Sequence, residues 1–307
     1  MEYIKLSNDM QLPVLGFGPG IFGYSPNVCV YRKTGIFSIP GRAYNKIIRH
    51  TITANKYSNA IAEAIRGGYR LIDYSAAYGD GRLVANGIKH SGVQREDLIL
   101  TTRVSNRAQF AGEEEVKKEF FSQLKGLDTE YIDILMFHWP VAGCYEETWK
   151  AMVDIYRQGY VKILGVANCH EHHLNTIFNL TEERPLINQF EIHPLFSQKK
   201  LIEFCKKNNI QPEAYTPVAR FDDRLVRLPL LHKIAEKYKK TVLQVVLRWH
   251  IQNGVIPVVR AMTKKHQKEN IDIFDFKLSD EEMQAIDKIN INSRLRYDPD
   301  NCDFTIL

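Results

Sequence analysis

At 307 residues, of which 44% are hydrophobic and 25% charged, the chain has the composition of a folded globular protein, which argues against disordered and fibrous classes. Its net charge of +5 is mild and its lysines and arginines are scattered, so we do not expect a nucleic-acid partner. The one notable basic cluster, residues 260–268, is short and suits either a phosphate-bearing small molecule or the solvated face of a helix.

The first part of the chain predicts a small hairpin followed by a strand. Residues 2–6 and 11–14 are apolar and flank Ser7-Asn8-Asp9, a turn signal. The run from Val14 to Gly23 then ends in glycines, which let the backbone approach a ligand closely. This run is not the fingerprint of a dinucleotide-binding βαβ unit, because no helix follows it directly and no acid lies about 20 residues further on.

Residues 24–53 show no clear period and are predicted to form a long inserted loop after the first strand. A loop of this length is usually functional or mobile, and on a barrel it would lie at the catalytic rim. The aromatic residues in and beside it are candidates to wall a substrate pocket: Phe22, Tyr24, Tyr31, Phe37 and Tyr44. Simple packing of the insertion onto the fold explains these side chains equally well.

From residue 55 onward, helical and strand patterns alternate with short loops, which is typical of a parallel barrel or a doubly wound sheet. The predicted helices are 55–67, 81–91, 113–126, 145–158, 170–178, 198–208, 228–239, 242–252 and 279–289. The predicted strands are 69–73, 97–102, 131–138, 161–166, 187–191, 211–215 and 254–257. With the first strand they make the eight that a closed barrel needs, and no linker divides the chain, so we expect one domain over residues 1–307.

Three successive predicted strands end on polar side chains. The run Leu71–Asp80 delivers Asp73 to a strand end and leads through small residues to Tyr78. The next apolar run stops on Arg103, and the one after it stops on His138, which is followed by Trp139. Because the carboxyl ends of parallel strands meet at one rim, we expect these groups to lie together. A single Tyr or His is usually a packing residue, but the ordered set favours an active site.

This arrangement resembles the aldo-keto reductase family over nearly the whole chain. The resemblance implies a (β/α)8 TIM barrel with an N-terminal β-hairpin floor and an inserted loop after the first barrel strand. It also implies that Asp73 is the family aspartate, Tyr78 the proton-donating tyrosine and His138 the histidine that orients the substrate. Arg103 falls where the family has lysine. Trp139, Phe22 and Tyr24 would line the substrate pocket.

The implied reaction is reduction of a carbonyl by hydride and proton transfer. A tyrosine with an ordinary pKa near 10 is a weak acid at neutral pH, and a nearby cation helps it by favouring the phenolate. Arg103 can supply that charge and pair with Asp73, but a guanidinium cannot share a proton as an ammonium can. The substitution therefore predicts a working site, a site tuned to an unusual substrate, or a barrel that binds cofactor without useful turnover.

The resemblance also implies a nicotinamide site built by later strands. Asn168 in Gly165-Val-Ala-Asn168 and Gln189 in Gln189-Phe-Glu-Ile-His-Pro194 would hold the carboxamide. Tyr215 would stack on the nicotinamide ring, with Thr216 near the pyrophosphate, and Gly18 would allow close approach of the backbone. Taken singly, these groups are equally well explained as buried polar residues of a core.

The adenosine end departs from the family pattern, since Val258-Val259 follow Ile256-Pro257 where lysine and serine are usual. A lengthened loop is predicted to replace them. Its candidate cofactor contacts are Arg260, Lys264, Lys265, His266, Glu269 and Asn270, with Arg260 on the 2′-phosphate and His266 on the adenine. The positive charge favours NADPH, with NADH as the alternative.

The end of the chain resembles the short carboxyl segment that crosses the rim in this family. Tyr297 or Phe304 would then complete the pocket, although surface packing explains them equally well. The preceding helix, 279–289, is predicted from the cap and acidic first turn of Ser279-Asp-Glu-Glu.

Two other functions compete with a carbonyl reductase. One is a regulatory or redox-sensing barrel that holds the cofactor without turnover. The other is a metal hydrolase, suggested by His170, His172 and His173. This second alternative is weak, because the histidines open a predicted helix, have no carboxylate partner at a suitable strand end and are expected to face solvent. We therefore expect no metal.

Five cysteines without C-x-x-C spacing argue against a disulfide framework and a zinc site. A reducing compartment fits best, and the N-terminal residues lack the basic and apolar regions of a signal peptide. We expect a cytoplasmic protein that acts on a small-molecule carbonyl or alcohol, has no membrane partner, and is a monomer or a small homo-oligomer.

Overall fold

The computed structural model describes residues 1–19 and 55–306, without the side chains of Tyr78 and Ile306. The predicted insertion at 24–53 and the pocket candidates Phe22 and Tyr24 lie outside the described residues. In the described part, no helix combines the length and apolar character needed to cross a membrane.

Within the described ranges, eight parallel strands close into a barrel and two further strands form an antiparallel hairpin. The hairpin strands are β1 (Tyr3–Lys5) and β2 (Gln11–Pro13). The barrel strands are β3 (Gly16–Phe17), β4 (Leu71–Asp73), β5 (Ile99–Val104), β6 (Ile132–Phe137), β7 (Val161–Ala167), β8 (Ile187–Glu191), β9 (Gln211–Tyr215) and β10 (Ile256–Val259). Each pairs with its sequence neighbour, and β10 pairs with β3 to close the ring.

Helices surround this ring. Residues 55–66 form α1. The others are α2 (Gly81–Ser91), α3 (Asn106–Ala111), α4 (Glu113–Gly126), α5 (Tyr145–Arg157), α6 (Glu171–Phe178), α7 (Lys199–Lys207), α8 (Asp223–Val226), α9 (Pro229–Tyr238), α10 (Val242–Gln252), α11 (Lys264–Ile271) and α12 (Asp280–Asp287). The predicted (β/α)8 barrel with its hairpin is confirmed.

The apolar residues divide into two main layers. Inside the barrel, Leu71, Ile134 and Ile187 pack together with Leu6 and Leu12 of the hairpin segment, so the hairpin closes this end of the interior. Between the strands and the helices lies a larger layer that includes the fully buried Trp149 of α5. Burying each large apolar side chain of this kind contributes about 1.5–3 kcal/mol.

The helix pair α1 and α2 approaches closely at a glycine. A Cβ atom added to Gly87 would lie 2.6 Å from Cβ and Cγ2 of Ile61 and 3.0 Å from the Ser58 carbonyl oxygen. Real Cβ atoms do not come so near, so the absence of a side chain at residue 87 lets these two helices pack together.

Three strands begin two residues later in the structure than the sequence predicts. Strands β4, β5 and β10 start at residues 71, 99 and 256 rather than 69, 97 and 254. In β5 the reason is a short 3-10 helix, Arg95–Asp97, and before β10 it is a turn at Gly254, whose φ is +65°. Strand β5 also runs to Val104, so Arg103 lies inside it rather than at its last position.

The predicted loop at the adenosine end is also wrong in part. Residues 264–271 form α11, because Thr263 caps the helix and its hydroxyl accepts a hydrogen bond from the backbone N–H of His266. The candidate contacts from Lys264 to Asn270 are therefore presented by a helix rather than by an extended loop.

Candidate active site

A buried polar network crosses the inside of the barrel. Arg103 of β5 donates from Nη2 to Oδ1 of Asp73 at 2.6 Å and to Oε1 of Gln189 at 2.7 Å. Its Nη1 donates to the Tyr74 carbonyl oxygen at 2.9 Å. Gln189 in turn donates to Oε2 of Glu213 at 3.1 Å. One guanidinium thus joins β4, β5 and β8, and the Gln189 amide extends the network to β9.

The charges of this network are balanced by a proton on Glu213. Burial is the main cause that raises the pKa of this carboxyl, the Asp73 charge adds to it, and the pKa reaches about 8. Glu213 is therefore mostly neutral at pH 7, which leaves Arg103 and Asp73 as a compensated ion pair. Glu213 is not among the site residues predicted from the sequence, where it is the middle residue of the strand Gln211–Tyr215.

The side chain of His138 follows directly on β6. Burial, followed by the charges of Arg103 and Arg296, lowers its pKa to about 3, so the imidazole is neutral at physiological pH. A neutral ring with one N–H can donate a hydrogen bond without carrying charge. The backbone of His138 is held at both ends, since its N–H donates to the Val104 carbonyl and its carbonyl accepts from Nδ2 of Asn168.

Tyr78 lies five residues beyond Asp73, at the end of a 3-10 helix, Ala76–Tyr78. The hydroxyl of Ser75 caps this turn by accepting from the backbone N–H of Ala77, and the buried Tyr74 hydroxyl donates to the Gly79 carbonyl at 2.9 Å. Gly79 has a φ of +147°, which other residues rarely adopt. The Tyr78 backbone is thus tied down on both sides, while its side chain lies outside the described part of the structure.

The predicted nicotinamide contacts meet at the ends of β7, β8 and β9. The Tyr215 hydroxyl donates to Oδ1 of Asn168 at 2.7 Å, and Asn168 donates to the His138 carbonyl at 3.0 Å. Asn168 and Thr216 have φ values of +62° and +46°, a strained conformation for residues with a Cβ atom. The structure therefore brings Asn168 and Tyr215 next to the backbone of His138, and Thr216 directly follows Tyr215 in the chain. The Gln189 amide, by contrast, is engaged inside the network of Arg103 and Glu213.

Two predicted cofactor contacts carry buried polar atoms without a hydrogen-bond partner among the described residues. They are Oγ1 of Thr216 and Oδ1 of Asn270. A buried acceptor without a partner usually marks a place that water or a ligand satisfies. Gly18, at the end of β3, donates its N–H to the Val259 carbonyl, and an added Cβ would lie 3.3 Å from the Val258 side chain.

The basic residues at the adenosine end lie on one side of the barrel mouth. Arg260, Lys264, Lys265 and His266 are exposed, and Glu269 is partly buried. Lys264 pairs with Glu63 of α1 at 2.9 Å, so part of its charge is already compensated. Arg260 follows β10 directly, which makes it the member of this group nearest to a barrel strand.

The tail, residues 292–304, returns to the rim of the barrel. Phe304 packs on Trp139 with the ring centroids 6.0 Å apart, and both side chains are buried. Tyr297 is 44% exposed, so of the two predicted tail residues Phe304 is the one that contacts a pocket candidate. The Trp139 backbone carbonyl accepts from Nε2 of Gln109, a residue of the unpredicted helix α3.

The side chain of Glu191 holds the tail by hydrogen bonds to the backbone of the tail. The buried carboxylate accepts from the N–H groups of Leu295 at 2.7 Å and Arg296 at 2.9 Å, and it pairs with Nε2 of His193 at 2.9 Å. Burial alone would raise its pKa, but the His193 hydrogen bond and the two amide groups outweigh burial and hold the pKa below its ordinary value. Glu191 stands in the motif Gln189-Phe-Glu-Ile-His-Pro194, which was the available signal for this role.

The histidines at the start of α6 do not behave as predicted. Asp300 of the tail lies 2.7 Å from Nδ1 of His170, so the histidines do have a carboxylate partner. His173 is buried rather than solvent-facing. The expectation that the histidines face solvent is thus wrong for His173, and the carboxylate partner comes not from a strand end but from a segment 130 positions away in the sequence.

Comparison with known proteins finds relatives with this fold and similar sequences. The sequence model of the Aldo/keto reductase family matches residues 41–291. The uncharacterized oxidoreductase YtbE of Bacillus subtilis is 41% identical over 251 residues, which cover 80% of this chain and 88% of YtbE. Glyoxal reductase of the same bacterium is 39% identical over 250 residues, 81% of this chain and 89% of that protein. A crystal structure of a Gox0644 mutant in complex with NADPH superposes with a TM-score of 0.82 at 29% identity, covering 98% of both chains.

Proposed function

The chain belongs to the aldo/keto reductase family, and from that premise we propose that it reduces the carbonyl group of a small aldehyde or ketone with NADPH, using Tyr78 as proton donor. The observation that carries this proposal is the buried Arg103–Asp73 pair, 2.6 Å apart, on strands β5 and β4, beside the neutral His138 that follows β6. The cation of Arg103, the carboxylate of Asp73 and the imidazole of His138 thus lie on or directly after neighbouring strands of one barrel. The turn that follows β4 carries Tyr78.

The residues present fit a nicotinamide dinucleotide. The buried oxygens of Thr216 and Asn270 need partners, and the two residues come from the nicotinamide and adenosine ends that the resemblance assigns. Asn168 and Tyr215 would hold the nicotinamide and Arg260 the ribose phosphate, and the bound cofactor supplies the hydride from C4 of its nicotinamide. The NADPH complex of the similar Gox0644 supports the same choice of cofactor.

In the proposed reaction, the substrate carbonyl oxygen accepts hydrogen bonds from the Tyr78 hydroxyl and from the N–H of His138. As negative charge develops on this oxygen, Tyr78 transfers its proton and becomes a phenolate. The positive charge of Arg103 favours the phenolate, because an opposite charge stabilises the ionised form. His138 stays neutral throughout, because its pKa of about 3 keeps it from protonation, and its single N–H can still donate to the substrate oxygen.

Arg103 would act by its charge and its position, not by proton exchange. Asp73, Gln189 and the Tyr74 carbonyl hold both terminal nitrogens of the guanidinium, so the side chain has little freedom to follow the substrate. Tyr74 links Arg103 to the turn that carries Tyr78. The Tyr74 carbonyl accepts from Arg103, and the Tyr74 hydroxyl fixes this turn by donating to the Gly79 carbonyl. One side chain therefore sets both the charge near the tyrosine and the path of its backbone.

The likeness to a glyoxal reductase suggests the substrate class. We propose small aldehydes that carry a second carbonyl group next to the first, for which glyoxal itself is the simplest probe. NADPH is the proposed cofactor because Arg260, Lys264 and Lys265 give this side of the barrel mouth a positive character suited to a 2′-phosphate. NADH remains the alternative, since Lys264 is already paired with Glu63.

One observation favours a second function, that of a barrel that binds cofactor for regulation without useful turnover. The Gln189 amide, a proposed carboxamide ligand, has its oxygen on Arg103 and its nitrogen on Glu213. If these bonds persist in the complex, Gln189 cannot orient the carboxamide through the same atoms, and the hydride would be poorly aimed.

The two functions are separated by measuring NADPH oxidation with glyoxal and a panel of simple aldehydes, alongside NADPH binding by fluorescence. We expect turnover in the native chain and a loss of on the order of a hundredfold or more in Tyr78→Phe, with NADPH binding retained. Tyr297→Phe is the matched control on an exposed tyrosine and should keep full activity. Binding without turnover in the native chain would support the regulatory barrel, and equal turnover in Tyr78→Phe would refute the proposed proton donor.

A further inference from the structure

Four potential metal ligands meet where the tail crosses the start of α6. We name His170, His172, His173 and Asp300 the histidine–aspartate cluster. His170 is the N-cap of α6, His172 and His173 lie in its first turn, and Asp300 comes from the tail. One ring nitrogen or carboxylate oxygen from each residue lies within 4.8 Å of the others. The proposed reductase chemistry uses none of these four side chains.

We propose that the histidine–aspartate cluster is a binding site for a divalent transition-metal ion such as Zn²⁺, and that the ion ties the tail to α6. Three imidazoles and one carboxylate are a donor set that suits Zn²⁺ and its neighbours in the first transition series. Mg²⁺ and Ca²⁺ prefer oxygen donors throughout, so they fit this cluster poorly. The inference does not depend on the proposed carbonyl reduction.

The separations approach those of a tetrahedral site. Metal–ligand bonds of roughly 2.0–2.2 Å place neighbouring ligand atoms about 3.4 Å apart. Oδ1 of Asp300 lies 3.2 Å from Nε2 of His172 and 3.6 Å from Nε2 of His173. Oδ2 of the same carboxylate is 2.7 Å from Nδ1 of His170. The widest separation has to shorten, and the His172 side chain, which is 62% exposed, is the ligand with the most room to adjust.

The surroundings lower the pKa values of two side chains of the cluster. Burial is the main cause that lowers the pKa of His173 to about 4, so this ring carries no charge to displace. Burial would raise the pKa of Asp300, but the His170 hydrogen bond and the three nearby rings hold the pKa below its ordinary value.

Two contacts oppose the ion and limit its affinity. Nδ1 of His173 accepts the backbone N–H of His170 at 3.1 Å, so binding through Nε2 requires the ring proton to move to Nδ1 and this bond to break. The Arg294 guanidinium lies 3.5 Å from Nε2 of His170 and repels a cation. We therefore assign His170, His172 and Asp300 as the first three ligands, with His173 as the fourth.

The site lies between two anchors of the tail that the chain itself provides. Glu191 holds the backbone at residues 295 and 296, and Trp139 packs on Phe304. Asp300 lies between these points, and His170 is two residues beyond Asn168 at the proposed nicotinamide site. A bound ion would thus fix the middle of the tail beside the barrel mouth.

The test uses the untagged full chain, stripped of metal with a chelator and titrated with Zn²⁺ by calorimetry. We expect one site per chain, and with Co²⁺ the visible absorption of a tetrahedral complex. His172→Ala and Asp300→Asn should each weaken binding by on the order of a hundredfold or more. His90→Ala, on an exposed histidine of α2, is the control and should bind Zn²⁺ like the native chain. Arg294→Gln should bind more tightly.

Limited proteolysis gives a second measurement that does not depend on activity. Zn²⁺ should slow cleavage of the tail in the native chain and in His90→Ala, but not in Asp300→Asn. Thermal unfolding without metal checks that the variants are folded, and both replaced side chains are at least 40% exposed. Zn²⁺ binding that is equal in the native chain and in His172→Ala and Asp300→Asn would overturn the proposal, as would the absence of a site in the native chain.

Discussion

Arg103 and Asp73 form an ion pair of 2.6 Å inside the barrel, with only 1% and 8% of their side chains exposed. Water cannot solvate either charge well, so each depends on the other for compensation. Arg103 supplies the positive charge of the proposed site, and Glu213, a second carboxyl group of the same network, holds a proton at neutral pH and adds no further negative charge.

Two substitutions of Arg103 distinguish the effect of its charge from the effect of its shape. In Arg103→Met the Asp73 carboxylate loses its partner, so we expect the free energy of unfolding to fall by about 3–5 kcal/mol. Carbonyl reduction should fall by on the order of a hundredfold or more, because the phenolate of Tyr78 loses its cation. Arg103→Lys keeps the charge and should stay within about tenfold of native activity. Urea unfolding and NADPH oxidation measure both effects, and a fully active Arg103→Met would contradict the role of the charge.

Protonation of His138 should not lower the rate of carbonyl reduction at mildly acidic pH. Its pKa of about 3 lies far below its ordinary value, so lowering the pH from about 7 to about 5 does not protonate the ring. We expect kcat/KM for a neutral aldehyde to stay level over this range. A fall centred near the ordinary histidine value of about 6.5, absent from His138→Gln, would show that the ring titrates normally.

Glu213→Gln should change how stability depends on pH. The folded pKa of about 8 lies above the ordinary value of 4.5, so between these values the native state holds a proton that the unfolded state releases. Stability from this group is fully present below the lower value and is lost as the pH rises through the upper one. The variant cannot ionise and should exceed the native protein in stability at about pH 9, with a smaller difference at about pH 5. Parallel urea-unfolding profiles for the two proteins would rule out this titration.

Two glycine substitutions test the helix contact. Gly87→Ala places its Cβ 2.6 Å from Ile61, so we expect the free energy of unfolding to fall by about 1–3 kcal/mol. Gly126→Ala, at the end of α4, meets no atom within 4 Å and should raise it by about 0.4–1 kcal/mol. Thermal or urea unfolding measures the pair. Equal effects at both positions would mean that backbone entropy, not packing, governs them.

Arg260 is the proposed ligand of the 2′-phosphate. Arg260→Ala should weaken NADPH binding by on the order of tenfold or more, since a charge-assisted hydrogen bond contributes about 1.5–3 kcal/mol. NADH binding should change little, because NADH lacks this phosphate. Lys265→Ala, on an exposed residue of α11, is the comparison. Equal losses for the two nucleotides would show that Arg260 does not read the phosphate.

Much of the fold could be predicted from local signals in the sequence, such as helix caps and apolar periods. The Ser279 cap of α12 was predicted, and the structure contains both bonds of the capping box, between Ser279 and Glu282. The predicted bounds of α2, α4 and α10 match the structure, because each helix pairs a clear apolar period with a definite end. The helix α11 was missed, because it is almost entirely polar and Thr263 was the main sign of its start.

The missed site residues have partners far away in the sequence. Glu213 is unremarkable in the sequence of β9, and its raised pKa follows first from burial inside the barrel and then from the charge of Asp73, which a different strand brings near. The histidines of α6 gain their carboxylate only because the tail returns from residue 300. Such pairs depend on tertiary packing, whereas the strand-end order of Asp73, Arg103 and His138 could be predicted from the chain alone.

The carboxylate of Glu191 accepts hydrogen bonds from two main-chain amides of the tail. Any residue other than proline can offer the same N–H at positions 295 and 296, so the segment keeps its course whatever side chains it carries there. A protein engineer can therefore vary the side chains of this stretch to alter which molecules enter the barrel mouth, while the two hydrogen bonds to Glu191 are retained.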